Sequence, residues 1–241
     1  MHLSFSRLRL HWSLVKKMLY IGIPSGLQGT LFSLSNVIIQ TALNGFDTEL
    51  GMAGSLVAGN TAAGNLEGFI YIAMNAVYQA SMTFVGQNIG ARKYKNVKRI
   101  TLLCVLCVTV IGLISGGTVL LFRNFFVGLY VAGGNAQVLE IAFVRLWWLL
   151  PPYFICGVME VLSGALRGMG KSITAMAVSL LGACALRIIW IETAFRWIHT
   201  MECIYISYPI SWVLVSVADA ILLSVYYRRL TRSSNCSKES L

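Results

Sequence analysis

The chain has 241 residues and a formal net charge of +10, and it is 57% hydrophobic but only 12% charged; its mean hydropathy is +0.72. A soluble domain carries about 25% charged residues, so the polar surface here is too small to cover a water-soluble globule, and lipid must solvate most of the chain. The positive charge would suit nucleic acid, but its placement along the chain excludes that partner.

Residues 1–17 contain LSFSRLRLHWSLVKK, a basic amphipathic stretch that reads as an interfacial segment on the membrane rather than a cleaved leader. Hydropathy over windows of about 20 residues places spans near 18–43, 53–86, 100–121, 136–162, 172–193 and 203–227. The predicted fold is an all-α membrane protein, a bundle of about six transmembrane helices over residues 18–230, followed by a short polar cytoplasmic tail at 231–241. The second span would be roughly 50 Å long against a hydrocarbon core of about 30 Å. It must tilt, bend or project, with Gly59, Gly64 and Gly68 as the yielding points. Between the third and fourth spans, RNFFVGLYVAGG puts Phe125, Phe126 and Tyr130 at the opposite interface. Pro24, the Pro151–Pro152 pair and Pro209 bend their helices, and bent helices at membrane depth are tolerated where they line a cavity. Gly22-x-x-x-Gly26 and Gly164-x-x-x-Gly168 are close-packing pairs.

The basic residues alternate with the loops. Fifteen of the 19 lysines and arginines, from Arg7 to Lys17, Arg92 to Arg99, Arg167 and Lys171, and Arg228 to Lys238, fall on one side of the predicted bundle. Asp47, Glu49, Arg123, Glu192, Arg196 and Glu202 fall on the other. The positive-inside rule makes both termini cytoplasmic in a multi-pass cell-membrane protein. The charge then faces the anionic leaflet, and lipid rather than nucleic acid is its partner.

A charged side chain at mid-span costs about 2.5–3.5 kcal/mol even on the lenient insertion scale, so each should face protein or water. On the second span Asn60, Glu67, Tyr71, Asn75, Tyr78 and Met82 share one helical face. On the first, Ser33, Asn36, Gln40 and Asn44 do the same. Two such stripes point to a shared hydrated cavity, with Asn36, Gln40, Asn60, Glu67, Tyr71, Asn75 and Tyr78 as candidate substrate or ion pathway residues. The alternative is interhelical hydrogen bonding, assigned here to Ser33. Arg145 is expected to snorkel outward and Glu160 to sit near the cytoplasmic end. Arg187 and Asp219 are a candidate buried charge pair, with a simple interfacial acid as the alternative for Asp219.

Catalytic patterns are missing. Cys104 and Cys107 form a C-x-x-C inside an apolar run, where cysteine packs as a small apolar residue. GALRGMGKS ends like a phosphate-binding loop but has Ala165 where the first glycine is required, with no preceding strand. With no nucleophile triad, metal spacing or dinucleotide fingerprint, the chain reads as neither an enzyme nor a cofactor or metal protein.

Four stretches resemble the MATE family of multidrug and toxin extrusion transporters: GIPSGLQGTLFSLSN opening the first span, VGQNIGARKY ending the second, SGALRGMGKSITAM joining the fourth and fifth, and YISYPISWVL starting the sixth. Their order and separation match the C-terminal six-helix lobe only. The resemblance implies antiport, with export of organic cations or drugs against inward H+ or Na+, a small-molecule substrate, and a second six-helix lobe or a second copy as partner. Glu67 is then the protonation switch. In the sodium-coupled branch, acids of this lobe help form the cation site, and here Phe32 and Cys156 stand near those positions. Two other readings are a lipid-linked sugar flippase of the same superfamily, which calls for a large basic cavity, and a non-transporting fragment or accessory membrane subunit.

Overall fold

A computed structural model describes residues 11–131, 135–198 and 200–239, with side chains through Arg232. Among the described residues every regular element is a helix: α1 (Trp12–Glu49), α2 (Ser55–Gly90), α3 (Tyr94–Leu121), α4 (Arg123–Gly128), α5 (Ala136–Leu149), α6 (Tyr153–Gly168), α7 (Ser172–Phe195) and α8 (Met201–Glu239). Residues 1–10 of the expected interfacial segment lie outside the described residues. The stretch expected as a polar tail continues α8 as helix to Glu239.

Among the described residues three helices, α3, α7 and the Met201–Arg232 part of α8, are long and apolar enough to cross a membrane. The pair α5 and α6, bent by 52° at its break, passes the same requirement when taken together as one broken span. The span expected at 136–162 is therefore two helices. The break falls at Pro151–Pro152, where two ring nitrogens cannot donate and their rings crowd the preceding turn. α1 and α2 run 38 and 36 residues but are diluted by their polar faces. Among the described residues the helices long and apolar enough to cross therefore number three, or four if the bent pair is one span, against the six or so expected.

α2 is the centre of the bundle and packs on α3, α5 and α6, while α6 also packs on α3 and α8. Leu66, Ile70 and Met74 of α2 meet Val108, Leu146, Leu149 and Tyr153 in the main core. Glycine makes this closeness possible. A Cβ on Gly168 would lie 2.6 Å from the Met82 carbonyl oxygen, and one on Gly164 would lie 2.8 Å from the Tyr78 ring. Of the two small-residue pairs read from the sequence, this one packs. Nothing lies within 4 Å of a Cβ on Gly22 or Gly26. α2 does not break at its glycines, and Gly59 instead lets α5 approach, a Cβ there lying 2.7 Å from the Val138 carbonyl oxygen.

The α1–α2 turn is fixed by Asp47. Its carboxylate accepts from the Gly54 backbone N–H at 2.7 Å and the Leu56 N–H at 2.8 Å, satisfying orphan donors at the start of α2. Gly54 takes φ +85°, which a side chain would resist. On the outside, Leu102, Leu103, Leu106, Leu113 and Ile114 of α3 are exposed, as a lipid-facing surface requires.

Candidate functional site

Stripes from six helices line a partly open cavity of about 610 Å³. α1 contributes Gln28, Phe32, Asn36 and Gln40, and α2 contributes Glu67, Tyr71, Asn75 and Tyr78. α6 contributes Tyr153, Cys156, Glu160 and Arg167, whose offsets of 3, 7 and 14 residues from Tyr153 form a single helical face. Arg145 of α5, Arg187 of α7, and Tyr208 and Trp212 of α8 complete the walls. Phe32 and Cys156 both face this cavity. Among the described residues no group of three or more His, Cys, Asp or Glu is arranged to hold a metal ion.

The most strongly bonded group in the wall is Arg145. Its Nε donates to Glu67 Oε1 at 2.7 Å, its Nη2 to Glu67 Oε2 at 2.8 Å, and its Nη1 to Asn60 Oδ1 at 2.7 Å. The Tyr205 hydroxyl donates to the same Asn60 oxygen at 3.2 Å, and the Tyr153 hydroxyl donates to the Glu67 backbone carbonyl at 3.2 Å. Arg145 therefore does not snorkel. A bidentate carboxylate inside the bundle offsets more of its desolvation than a long reach to the interface would. Glu67 is correspondingly a paired anion, not a free one.

Arg167 corrects the loop assignment. It is 5% exposed and donates through its two terminal nitrogens to Ser25 Oγ and Gln28 Oε1 of α1, with its guanidinium 5.9 Å from the Tyr78 ring centroid. Ser172 Oγ adds a bond to the Ile21 carbonyl at 3.2 Å, so the α6–α7 corner is tied to α1.

Arg187 and Asp219 do not pair. Arg187 Nε donates to Ser211 Oγ at 3.0 Å, and its guanidinium carbon sits 4.2 Å from the Tyr208 ring centroid. Asp219 is fully buried, and neither of its carboxylate oxygens has a hydrogen-bond partner. The physical reason lies in α7, which widens to π-type turns over Leu180–Ala185. An extra residue in a turn rotates everything beyond it by about 100° relative to an ideal α-helix, and Arg187 follows that turn.

Of the pathway candidates, Asn36, Gln40, Glu67, Tyr71, Asn75 and Tyr78 line the cavity. Asn60 stands behind Arg145 and holds it. Ser33 bonds the Gly29 carbonyl of its own helix at 3.0 Å, Asn44 is exposed, and Met82 packs at Gly168. Gln28, Arg145, Arg167, Tyr208 and Trp212 were not among the candidates. The seven-residue spacing of Glu160 and Arg167 was the signal available for one of them.

A polar, charged cavity lined by helices of membrane-spanning length is the architecture of a membrane transporter lobe. The MatE family model matches residues 24–191, and the chain belongs to that family. It is 28% identical over 160 residues to the "Probable multidrug resistance protein NorM" of Listeria innocua, a match covering 66% of this chain and 33% of the relative. It is 24% identical over 217 residues to a FAD transporter of Shewanella oneidensis, covering 89% of this chain and 45% of the relative. The chain thus spans less than half the length of these relatives. Among solved structures, a multidrug resistance MATE family transporter of the MOP superfamily, in an outward-facing conformation, superimposes with TM-score 0.81 at 15% identity, covering 95% of this chain and 50% of that one. A MOP superfamily transporter from Pyrococcus furiosus does so with TM-score 0.82 at 16% identity and the same two shares.

Proposed function

We propose that this chain forms one six-helix lobe of a MATE-type antiporter that exports drugs or organic cations, coupled to H+ or Na+, and works with a second six-helix lobe or a second copy of itself in the cell membrane. The observation that supports this most is the cavity of about 610 Å³, large enough for a drug-sized molecule and walled by aromatic rings with a few placed polar groups. The faces of Tyr71 and Tyr78 suit an organic cation. Glu67 is engaged by Arg145, so the coupling role passes to Glu160, which lines the cavity and makes no hydrogen bond or ion pair among the described residues. Alternating access is then rocking of this lobe against its partner, with the cavity exposed to each side in turn.

Reconstitution tests the proposal. The chain, alone and together with a second lobe, is placed in liposomes under imposed proton or sodium gradients, and movement of a fluorescent cation is followed. Gradient-dependent movement that Glu160→Gln abolishes is expected. No movement by folded, inserted protein in either combination would favour a non-transporting subunit. The three cavity arginines favour a second reading, the lipid-linked sugar flippase. Binding of lipid-linked precursors in place of cationic dyes would establish it.

A further inference from the structure

Three guanidiniums and two carboxylates face the cavity, and they are not matched. Arg145 uses all three of its nitrogens on Glu67 and Asn60. Arg167 has both terminal nitrogens occupied by Ser25 and Gln28. Arg187 differs. Only its Nε is engaged, by Ser211 at 3.0 Å, and its two terminal nitrogens have no hydrogen-bond partner among the described residues. The residue is 5% exposed, and it lines the cavity.

Its environment holds it in place. Ser211 Oγ is itself anchored, donating to the Tyr208 carbonyl at 2.7 Å. The guanidinium lies 4.2 Å over the Tyr208 ring, which supports its flat face and leaves the edge donors available. Trp212 stands beside this pair, with its ring 6.1 Å from Tyr208 and 5.5 Å from Tyr153. A guanidinium stays charged at any physiological pH, and a buried cation without an anion is expensive. A fork of two parallel donors fits a carboxylate or a phosphate.

We infer that Arg187 is a substrate-charge station: the cavity takes a molecule bearing an acidic group, a carboxylate or a phosphate, seated on the Arg187 edge with its aromatic body against Tyr208 and Trp212. This names the substrate class of the path proposed above and rests on that reading. A molecule with a cationic end as well can use the tyrosine faces and Glu160, so the station adds a required acid to the drug-export reading.

The test is equilibrium binding to the purified full chain in lipid nanodiscs, read by quenching of tryptophan fluorescence, with no transport step involved. The probes are 1-naphthoate, 1-naphthyl phosphate and the neutral 1-naphthalenemethanol. The expected result is at least one acidic probe binding tenfold or more tighter than the neutral one, with tighter phosphate or tighter carboxylate binding identifying the preferred acid. Arg187→Gln should remove that preference, Arg187→Lys should retain part of it, and Arg196→Gln, which alters an exposed pair with Glu192, should leave it unchanged. Equal binding of acidic and neutral probes by the unmodified chain would overturn the inference without any variant. So would an acid preference that survives Arg187→Gln. Acid-selective binding in a chain that transports nothing would leave the station standing and remove the transport reading.

Discussion

Glu67 and Arg145 are 78 positions apart in the chain and meet through two bonds of 2.7 and 2.8 Å, joining α2 to α5 at the wall of the cavity. Both side chains are largely withdrawn from the surface, with relative exposures of 9% and 13%. The pair therefore fixes how two helices of the site face each other.

Removing one partner should be costly, because the other is left as an uncompensated buried charge. Glu67→Gln is expected to lower stability by about 3–5 kcal/mol, measured as thermal unfolding in detergent. A double substitution, Glu67→Gln with Arg145→Met, should recover a large part of that loss. If the double variant is as unstable as the sum of the two single ones, the pair is not coupled as described.

The contact of α2 with α6 depends on two glycines to different degrees. Gly168→Ala drives a methyl into a backbone carbonyl and should cost about 1–3 kcal/mol, since Met82 cannot turn aside. Gly164→Ala meets the Tyr78 ring at 2.8 Å and the Tyr78 carbonyl oxygen at 3.0 Å, a less severe backbone approach than the 2.6 Å at Gly168, and should cost less. Gly22→Ala should not lower the melting temperature and should raise stability by about 0.5–1 kcal/mol, because its Cβ meets open space in a helix interior.

Asp47 closes the turn into α2 with two backbone bonds. Asp47→Ala should destabilise by about 1–2 kcal/mol and raise hydrogen exchange over residues 54–58. Unchanged exchange there would remove its capping role.

Arg167 ties α6 to α1. Arg167→Gln should raise hydrogen exchange over residues 21–28 by about fivefold, the equivalent of one net hydrogen bond. Exchange rates equal to those of the unmodified chain would show that α1 is held elsewhere.

Asp219 gives the opposite sign. A carboxylate buried without a partner weakens the fold, so Asp219→Leu should raise stability by about 1–2 kcal/mol. A pairing with Arg187 would make the same substitution destabilising, so the direction of the shift in melting temperature decides between them.

The sequence made much of this visible through periodicity. The α2 stripe from Glu67 to Tyr78 and the α1 residues Asn36 and Gln40 were legible because a continuous helix keeps residues at those spacings on one face. The α6 stripe has the same regularity from Tyr153 to Arg167. It went unread because the Pro151–Pro152 break starts a new helix phase and because Arg167 resembles a loop cation. The direction of Arg187 could not be read at all, since the wide turns of α7 shift its phase. The partner of Arg145 is a tertiary fact that no local pattern encodes.

The claim that matters most is that this cavity is the transport path. Gly68 lines it, and a Cβ there meets nothing within 4 Å, so Gly68→Leu narrows the space while its first carbon clashes with nothing. Gradient-driven transport by liposomes holding the lobe and its partner is the measurement. A loss of tenfold or more in initial rate, at an unchanged or higher melting temperature, is the expected result. Transport by Gly68→Leu at the unmodified rate would contradict the assignment of the cavity as the path.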